Sequence, residues 1–317
     1  MAHPRISILV PIYGTEAYIE KCSRSLFSQD YEDVQFIFVD DCTKDQAVQV
    51  LTRVLEEYPD RKPQTSIIRH PNNLGLGGAR LTGLQHATGD YVWFVDSDDF
   101  IADHALRTLD QYMQEGYDLI AFSFIEESGS TSIQREIKEL TIPNLLTDRV
   151  CPSIWKEVVK RSLMLDNEIL PIVGLNFAED LQMLYRLLLV APKVVTLSSS
   201  FLYHYNVGNT ESMMHNISHK SVLNLTEAVL IVYDFYQKQG KLRKYSMLIV
   251  YLLADCYLLL DTFESETERQ QLLMQKIVSR SWLVSAILKS SLSSETKRKA
   301  ICFYRNRGYH LYQLLYK

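Results

Sequence analysis

The chain has 317 residues, 47% of them apolar, with 12 Gly, 9 Pro and no low-complexity tract. This excludes a disordered or fibrous protein and leaves room for one large α/β domain with a smaller helical unit. The formal net charge of −5 hides a division: residues 1–217 hold 18 Lys+Arg against 30 Asp+Glu, and residues 218–317 hold 15 against 8. This acidic body and the lack of a basic groove interleaved with aromatics argue against nucleic-acid binding, and no nucleic-acid partner is expected.

Arg5 to Ile12 (RISILVPI) is a short β-rich apolar run closed by Pro11, the form of a buried parallel strand. From Glu16 to Phe27 the apolar positions Ala17, Ile19, Leu26 and Phe27 are separated by charged ones, which predicts a helix leading to a second strand, Val34 to Val39. That strand ends on Asp40-Asp41. A helix over Gln46 to Tyr58, a strand over Thr65 to Ile68, a helix over Leu76 to Ala87 and a strand over Tyr91 to Val95 follow. Alternation of strand and helix through the first hundred residues predicts βαβ units building a mostly parallel sheet. Beyond it we expect a strand over Tyr117 to Phe124, a helix over Ser153 to Leu163 and an apolar helix over Glu179 to Val190. From Ser218 onward there is no Pro, and Leu, Ile and Tyr recur at helical spacing, predicting three or four packed helices. We therefore expect a domain over 1–215 and a helical region over 216–317.

The N-terminus lacks a basic segment followed by a long apolar one, so no cleaved signal is expected. The longest apolar segment, Met247 to Leu260, is broken by Asp255 and falls short of the ~20 residues of a spanning helix. Five cysteines (Cys22, Cys42, Cys151, Cys256, Cys302) form no CxxC pair, which argues against a zinc ribbon or a disulfide framework. Their odd number fits a reducing cytoplasm.

Ligands of such sheets bind at the carboxyl ends of strands. Acidic residues follow two predicted strands directly, Asp40-Asp41 and Asp96-Ser97-Asp98-Asp99, so both groups should line one crevice. Three carboxylates within four positions repel one another and call for a cation, and oxygen-only donors suit Mg²⁺ or Mn²⁺. The same residues also fit a solvated loop capping the next helix. Glu179-Asp180 opens an apolar helix, where carboxylates stabilise the N-terminus by about 0.3–1 kcal/mol without any catalytic duty. Asp40-Asp41 equally fit turn formation. The stretch Asn73-Leu74-Gly75-Leu76-Gly77-Gly78-Ala79-Arg80 looks like a dinucleotide fingerprint, but that motif belongs after the first strand of its sheet. A glycine-rich helix start still binds phosphate, with Arg80 adding charge.

Taken together, Val10-Pro11-Ile12-Tyr13, Val39-Asp40-Asp41, Asn73-Leu74-Gly75 through Gly78-Ala79-Arg80-Leu81-Thr82-Gly83, and Asp96-Ser97-Asp98-Asp99 resemble, in order, the motifs of the inverting glycosyltransferases of family 2. The resemblance covers about residues 5–210. It implies a GT-A nucleotide-sugar-binding fold with a Rossmann-like mixed sheet, here followed by a C-terminal helical extension. It also implies that Pro11, Tyr13 and Glu16 border the donor's nucleoside and that Asp41, with Asp40, hydrogen-bonds the base, most often uracil. Arg80 would lie near the nucleotide and Asp96 would face the ribose or sugar. Asp98 would bind a Mn²⁺ or Mg²⁺ ion bridging the diphosphate, in a DXD motif to which Asp96 and Asp99 contribute. Glu179-Asp180 matches the family's later acidic pair, making Asp180 the catalytic base. In Tyr203-His204-Tyr205-Asn206-Val207-Gly208-Asn209, Gly208 stands where the family often has a His, so His204 becomes a candidate third metal ligand.

The resemblance implies a cytoplasmic enzyme that transfers sugar from a nucleotide-sugar donor to a glycan or lipid-linked acceptor in surface polysaccharide synthesis. Residues Gly174 to Ala178 and Tyr203 to Met214 would shape acceptor choice. The basic residues Lys297-Arg298-Lys299, Arg305 and Arg307 invite a peripheral contact with anionic lipid through the C-terminal helices. Two alternatives stay open. A nucleotidyltransferase shares this fold, although Pro11-Ile12-Tyr13-Gly14-Thr15-Glu16 lacks the basic glycine-rich loop expected after its first strand. A nucleotide-sugar-binding module without catalysis would use Asp180 only as a helix cap.

Overall fold

The computed structural model describes residues 3–147, 152–209, 218–245 and 252. Two compact units are present, Met1–Asn216 and Ile217–Lys317. In the first, a nine-stranded sheet has the order β3-β2-β1-β4-β8-β6-β9-β5, with β7 paired to β6.

The first half of the sheet is parallel. Strand β1 (Ile6–Ile12) lies between β2 (Val34–Asp40) and β4 (Tyr91–Phe94), and β3 (Thr65–Arg69) pairs with the outer side of β2. Strands β1, β2 and β4 are buried almost without interruption, as expected where helices cover both faces. Those helices are α1 (Ile19–Phe27), α2 (Ala47–Glu56) and α3 (Gly75–His86), each joining consecutive parallel strands. Phe27 of α1 meets Phe36 and Phe38 of β2 edge-on, with centroids at 5.4 and 5.8 Å, in the core between helix and sheet.

The second half is mixed. The short β5 (Phe100–Ile101) and α4 (Ala105–Gln114) lead to β6 (Leu119–Ser128) and β7 (Thr131–Arg135), followed by α5 (Ile142–Thr147). The helix expected over Ser153 to Leu163 does not form. That segment is a 3₁₀ turn over Ile154–Lys156, a strand β8 (Glu157–Lys160) and a short helix α6 (Arg161–Asp166). Strand β8 runs antiparallel to both β4 and β6 and joins the two halves of the sheet. Ile154, Val158 and Val159 imitate helical spacing, but two open strand edges offer Val158 and Val159 a fully buried slot that suits β-branched side chains. The indole of Trp93 donates to the Trp155 carbonyl at 2.7 Å and ties the turn to β4. Helix α7 (Glu179–Val190) precedes β9 (Val194–Asn206), which runs parallel to β6 and antiparallel to β5.

In the second unit, α8 (His219–Lys238) begins with a capping box in which the Ser218 and Ser221 hydroxyls each accept the other's backbone N–H. The further helices expected there, the basic residues Lys297 to Arg307 and the segment 210–214 lie outside the described residues. No helix among the described residues is long and apolar enough to cross a membrane.

Candidate functional site

The parallel strands β1, β2 and β4 point their carboxyl ends to one side, which brings the two acidic groups to a common edge. Pro11, half-buried, is opposite Val39 in the β1–β2 register. After β1 the chain turns at Gly14, whose φ of 68° falls in the left-handed region and whose N–H reaches the Thr43 hydroxyl at 2.9 Å. Tyr13 is 52% exposed beside this turn. Glu16 fixes the turn reciprocally: its N–H donates to Asp45 and its carboxylate accepts from the Gln46 N–H, both at 2.8 Å.

Asp40 and Asp41 are both buried. Asp40 accepts from the Thr43 N–H at 2.8 Å and has Arg69 at 3.3 Å. Asp41 accepts from the N–H groups of Leu74 and Gly75, each at 2.8 Å, and its Oδ1 lies 2.7 Å from the His70 ring. It therefore satisfies N–H groups at the start of α3, a contact the sequence did not suggest, while Asp40 closes the turn after β2 through Thr43. Helix α3 itself is pressed against the loop before α7, and Gly77 is required there because an added Cβ would stand 2.1 Å from the Ile172 carbonyl oxygen.

Arg80, on the buried face of α3, is the centre of the arrangement. Its guanidinium is 2.8 Å from Asp96 and 2.6 Å from Glu179, and it is also bonded to Asp180. One almost fully buried cation thus joins the acidic run after β4 to the acidic pair that opens α7. Burial alone lowers the Arg80 pKa, but Asp180, Asp96 and Glu179 outweigh it and drive the value up. Glu179 is shifted well upward, first by burial and then by Asp180, against the pull of Arg80. The guanidinium that the motif placed near the nucleotide is turned inward to these carboxylates.

Asp98 is half-buried and accepts from the Asn209 side chain at 2.8 Å. Burial and then Asp96 raise its pKa. Asp99 points into the interior, where Oδ2 accepts from the Tyr203 hydroxyl and Oδ1 from the Asn206 N–H, both at 2.7 Å. Burial, Asp98 and Asp96 push Asp99 well above the usual carboxylate range. Tyr203 reaches the Asp96 N–H at 3.1 Å as well, so β9 braces the acidic loop from behind. His204, next along β9, points elsewhere: it stacks on Phe100 with centroids at 4.2 Å and bonds Glu127 at 2.7 Å. Its ring is thus held by Phe100 and Glu127.

Among the described residues no group of three or more His, Cys, Asp or Glu side chains is arranged as a metal cage. The donor set nevertheless fits a hard divalent ion of the kind that keeps waters and takes the rest of its shell from substrate phosphates. Asp98 and the Asp96 oxygen not bonded to Arg80 supply two carboxylate donors two residues apart. Tyr203, Asn206 and Asn209 were not singled out as bracing groups from sequence, because their link to the acidic run spans more than 100 residues of chain.

The model of glycosyl transferase family 2 matches residues 7–169, which reach from β1 to the end of β8 and its following helix but stop before Asp180. EpsH of Bacillus subtilis, designated a glycosyltransferase, is 28% identical over 261 residues, 77% of this chain and 73% of that protein. The crystal structure of Staphylococcus aureus TarS 1–349 in complex with UDP-GlcNAc superposes with a TM-score of 0.71 at 21% identity, covering 98% of this chain and 93% of the other. A mannosyltransferase from Pyrobaculum calidifontis in complex with GDP-Man and Mn²⁺ gives 0.56 at 16% identity, with 97% and 88% covered. Nucleotidyl transfer and loss of catalysis thus give way to sugar transfer, and the chain belongs to glycosyl transferase family 2, as a glycosyltransferase with the GT-A fold.

Proposed function

We propose that this glycosyltransferase moves a sugar from a UDP-sugar to a hydroxyl of a glycan or lipid-linked acceptor in surface polysaccharide synthesis, inverting the anomeric centre. The observation that carries the reading is the Arg80 bridge, which holds Asp180 and Asp96 on one guanidinium and so supports Asp180 as a base beside the acidic loop. The donor assignment is supported by the fold shared with TarS, whose structure contains UDP-GlcNAc. In this reading Pro11, Tyr13 and Glu16 border the nucleoside, and Asp41 and Asp40 hold the loop that receives the base.

Asp180 takes the proton of the acceptor hydroxyl while that oxygen forms its bond to the anomeric carbon. The bond from that carbon to the diphosphate oxygen breaks on the opposite face, and its electron pair leaves with UDP. Arg80 orients Asp180 through their ion pair. Glu179, more deeply buried, accepts from the same Nη1 of Arg80 as Asp180, while Asp96 accepts from Nη2. Asp98 and Asp96 would hold Mn²⁺ or Mg²⁺, which when bound supplies charge neutralisation to the departing diphosphate. Asp99 serves this loop as an internal brace bonded to Tyr203 and Asn206.

The test is release of UDP from UDP-GlcNAc by wild type and Asp180→Asn, with UDP affinity measured in parallel. The reading expects release reduced by about 10²-fold or more with affinity retained, the loss typical of a removed general base. Undiminished release by the variant would contradict it.

A further inference from the structure

His70 follows β3 and belongs to none of the motifs set out above. Its side chain is only 7% exposed, and both ring nitrogens have partners: Nδ1 lies 2.7 Å from Asp41 Oδ1, and Nε2 lies 2.9 Å from the Thr82 hydroxyl. Its backbone N–H donates to the Asp40 carbonyl at 2.9 Å, just past the last register pair of β2 and β3. One ring therefore joins the residue that follows β2 to α3, at a point two residues beyond Arg80.

The direction of these bonds follows from their surroundings. Asp41 Oδ1 also accepts the Leu74 N–H, and Oδ2 accepts the Gly75 N–H, each at 2.8 Å, so both oxygens act as acceptors. The ring supplies the proton between them, at Nδ1. In the neutral imidazole Nε2 is then an acceptor, and the Thr82 hydroxyl donates to it.

A carboxylate offers about four acceptor positions. His70 and Leu74 fill those of Oδ1, Gly75 fills one on Oδ2, and a single position on Oδ2 remains. Among the described residues His70 is the only side chain bonded to this carboxylate. The two backbone contacts alone would leave each oxygen with one open position, so the ring is what makes the carboxylate one-sided. The open position can only accept. A uracil ring presents an N–H at N3, whereas cytosine presents a lone pair there.

We propose that His70 is a positioning residue for donor binding: as the Nδ1–H tautomer, tied to α3 through Thr82, it fills Asp41 Oδ1 and leaves Oδ2 as the one oxygen that receives the N3–H of the base. The inference rests on the reading of the donor as a UDP-sugar whose base meets Asp41. It makes the choice of uracil over cytosine depend on a ring that bonds Asp41 and α3 rather than the nucleotide.

The experiment pairs ¹⁵N NMR of the full chain labelled at histidine with calorimetric titration of UDP and CDP, in Mn²⁺, into wild type, His70→Ala and His70→Asn. An asparagine amide takes the place of Nδ1–H and donates to Asp41 without the contact to Thr82. On the alkaline side of its titration the His70 ring should carry its proton on Nδ1. His70→Ala should lose about tenfold in UDP affinity and a similar factor in the preference for UDP over CDP, as removal of a buried hydrogen bond to a carboxylate does. His70→Asn should recover most of both. A neutral ring protonated at Nε2 would overturn the proposal. So would a preference for UDP that is unchanged in His70→Ala, the result of a merely structural ring, or a His70→Asn variant no better than His70→Ala. The tautomer is read on wild type by through-bond correlation and stands even if a variant folds poorly. Failure of the reading that places the base at Asp41 would appear separately, as a wild type that takes UDP and CDP alike or a preference unchanged in Asp41→Asn.

Discussion

Arg80 and Asp180 are joined by an ion pair that spans 100 residues of sequence, with the guanidinium 1% and the carboxylate side chain 16% exposed. Removing the cation would leave Glu179, Asp180 and Asp96 facing one another in a poorly hydrated site. Arg80→Ala should therefore lose about 3–5 kcal/mol in chemical denaturation, the range for breaking a buried pair from one side. Arg80→Lys should recover only part of this, because an ammonium cannot match the fork that meets three carboxylates. A variant as stable as wild type would show that the cluster is not held by this residue.

Backbone crowding gives a second expectation. Gly77→Ala forces a methyl against the Ile172 carbonyl and should cost about 1–3 kcal/mol, as overpacking does. At Gly14 an added Cβ meets nothing within 4 Å, and the cost there is only that of a positive φ, about 1 kcal/mol. Thermal unfolding of the two variants should rank Gly77→Ala as the less stable, and the reverse order would refute the close approach of α3 to this loop.

Most of the parallel half was legible because β1, β2 and β4 are nearly unbroken apolar runs, and buried parallel strands need little else. The acidic run and Glu179-Asp180 were legible for the same reason, as charges placed directly against apolar segments. Ser153 to Leu163 was misread because Ile154, Val158 and Val159 satisfy a helical period, while the reason they form a strand is two partners, β4 and β6, far away in sequence. Asp41 shows the same limit: its residue type was plain, but its bonds to Leu74, Gly75 and His70 exist only once β2 and α3 meet. Tyr203 gave no local signal of its bond to Asp99.

That bond supplies a third prediction. Tyr203→Phe removes the hydroxyl shared by Asp99 and the Asp96 N–H, leaving a buried acceptor unsatisfied, and should destabilise the protein by about 1–3 kcal/mol. His204→Ala, in contrast, should leave the Mn²⁺ dependence of UDP binding unchanged, since its ring is held by Phe100 and Glu127. Titration of UDP with and without Mn²⁺ into both variants checks this. A loss of metal dependence in His204→Ala would return that residue to the ligand set.

Stability should also respond to pH through Glu157. Burial of this β8 carboxyl holds its folded-state pKa at about 8, above the usual value of 4.5, so the folded chain binds more protons than the unfolded one between these limits. The contribution is complete below the lower limit and is lost as pH rises toward 8. Denaturation of wild type and Glu157→Gln across that window should show the variant's stability falling less steeply with pH. Parallel curves would mean that Glu157 ionises equally in both states.

The most direct measurement is calorimetric titration of UDP into wild type and Asp98→Ala, each with and without Mn²⁺. The account predicts binding by wild type that strengthens with the metal, and loss of that strengthening in Asp98→Ala. Absence of UDP binding by folded wild type under both conditions, or an unchanged metal effect in the variant, would contradict it.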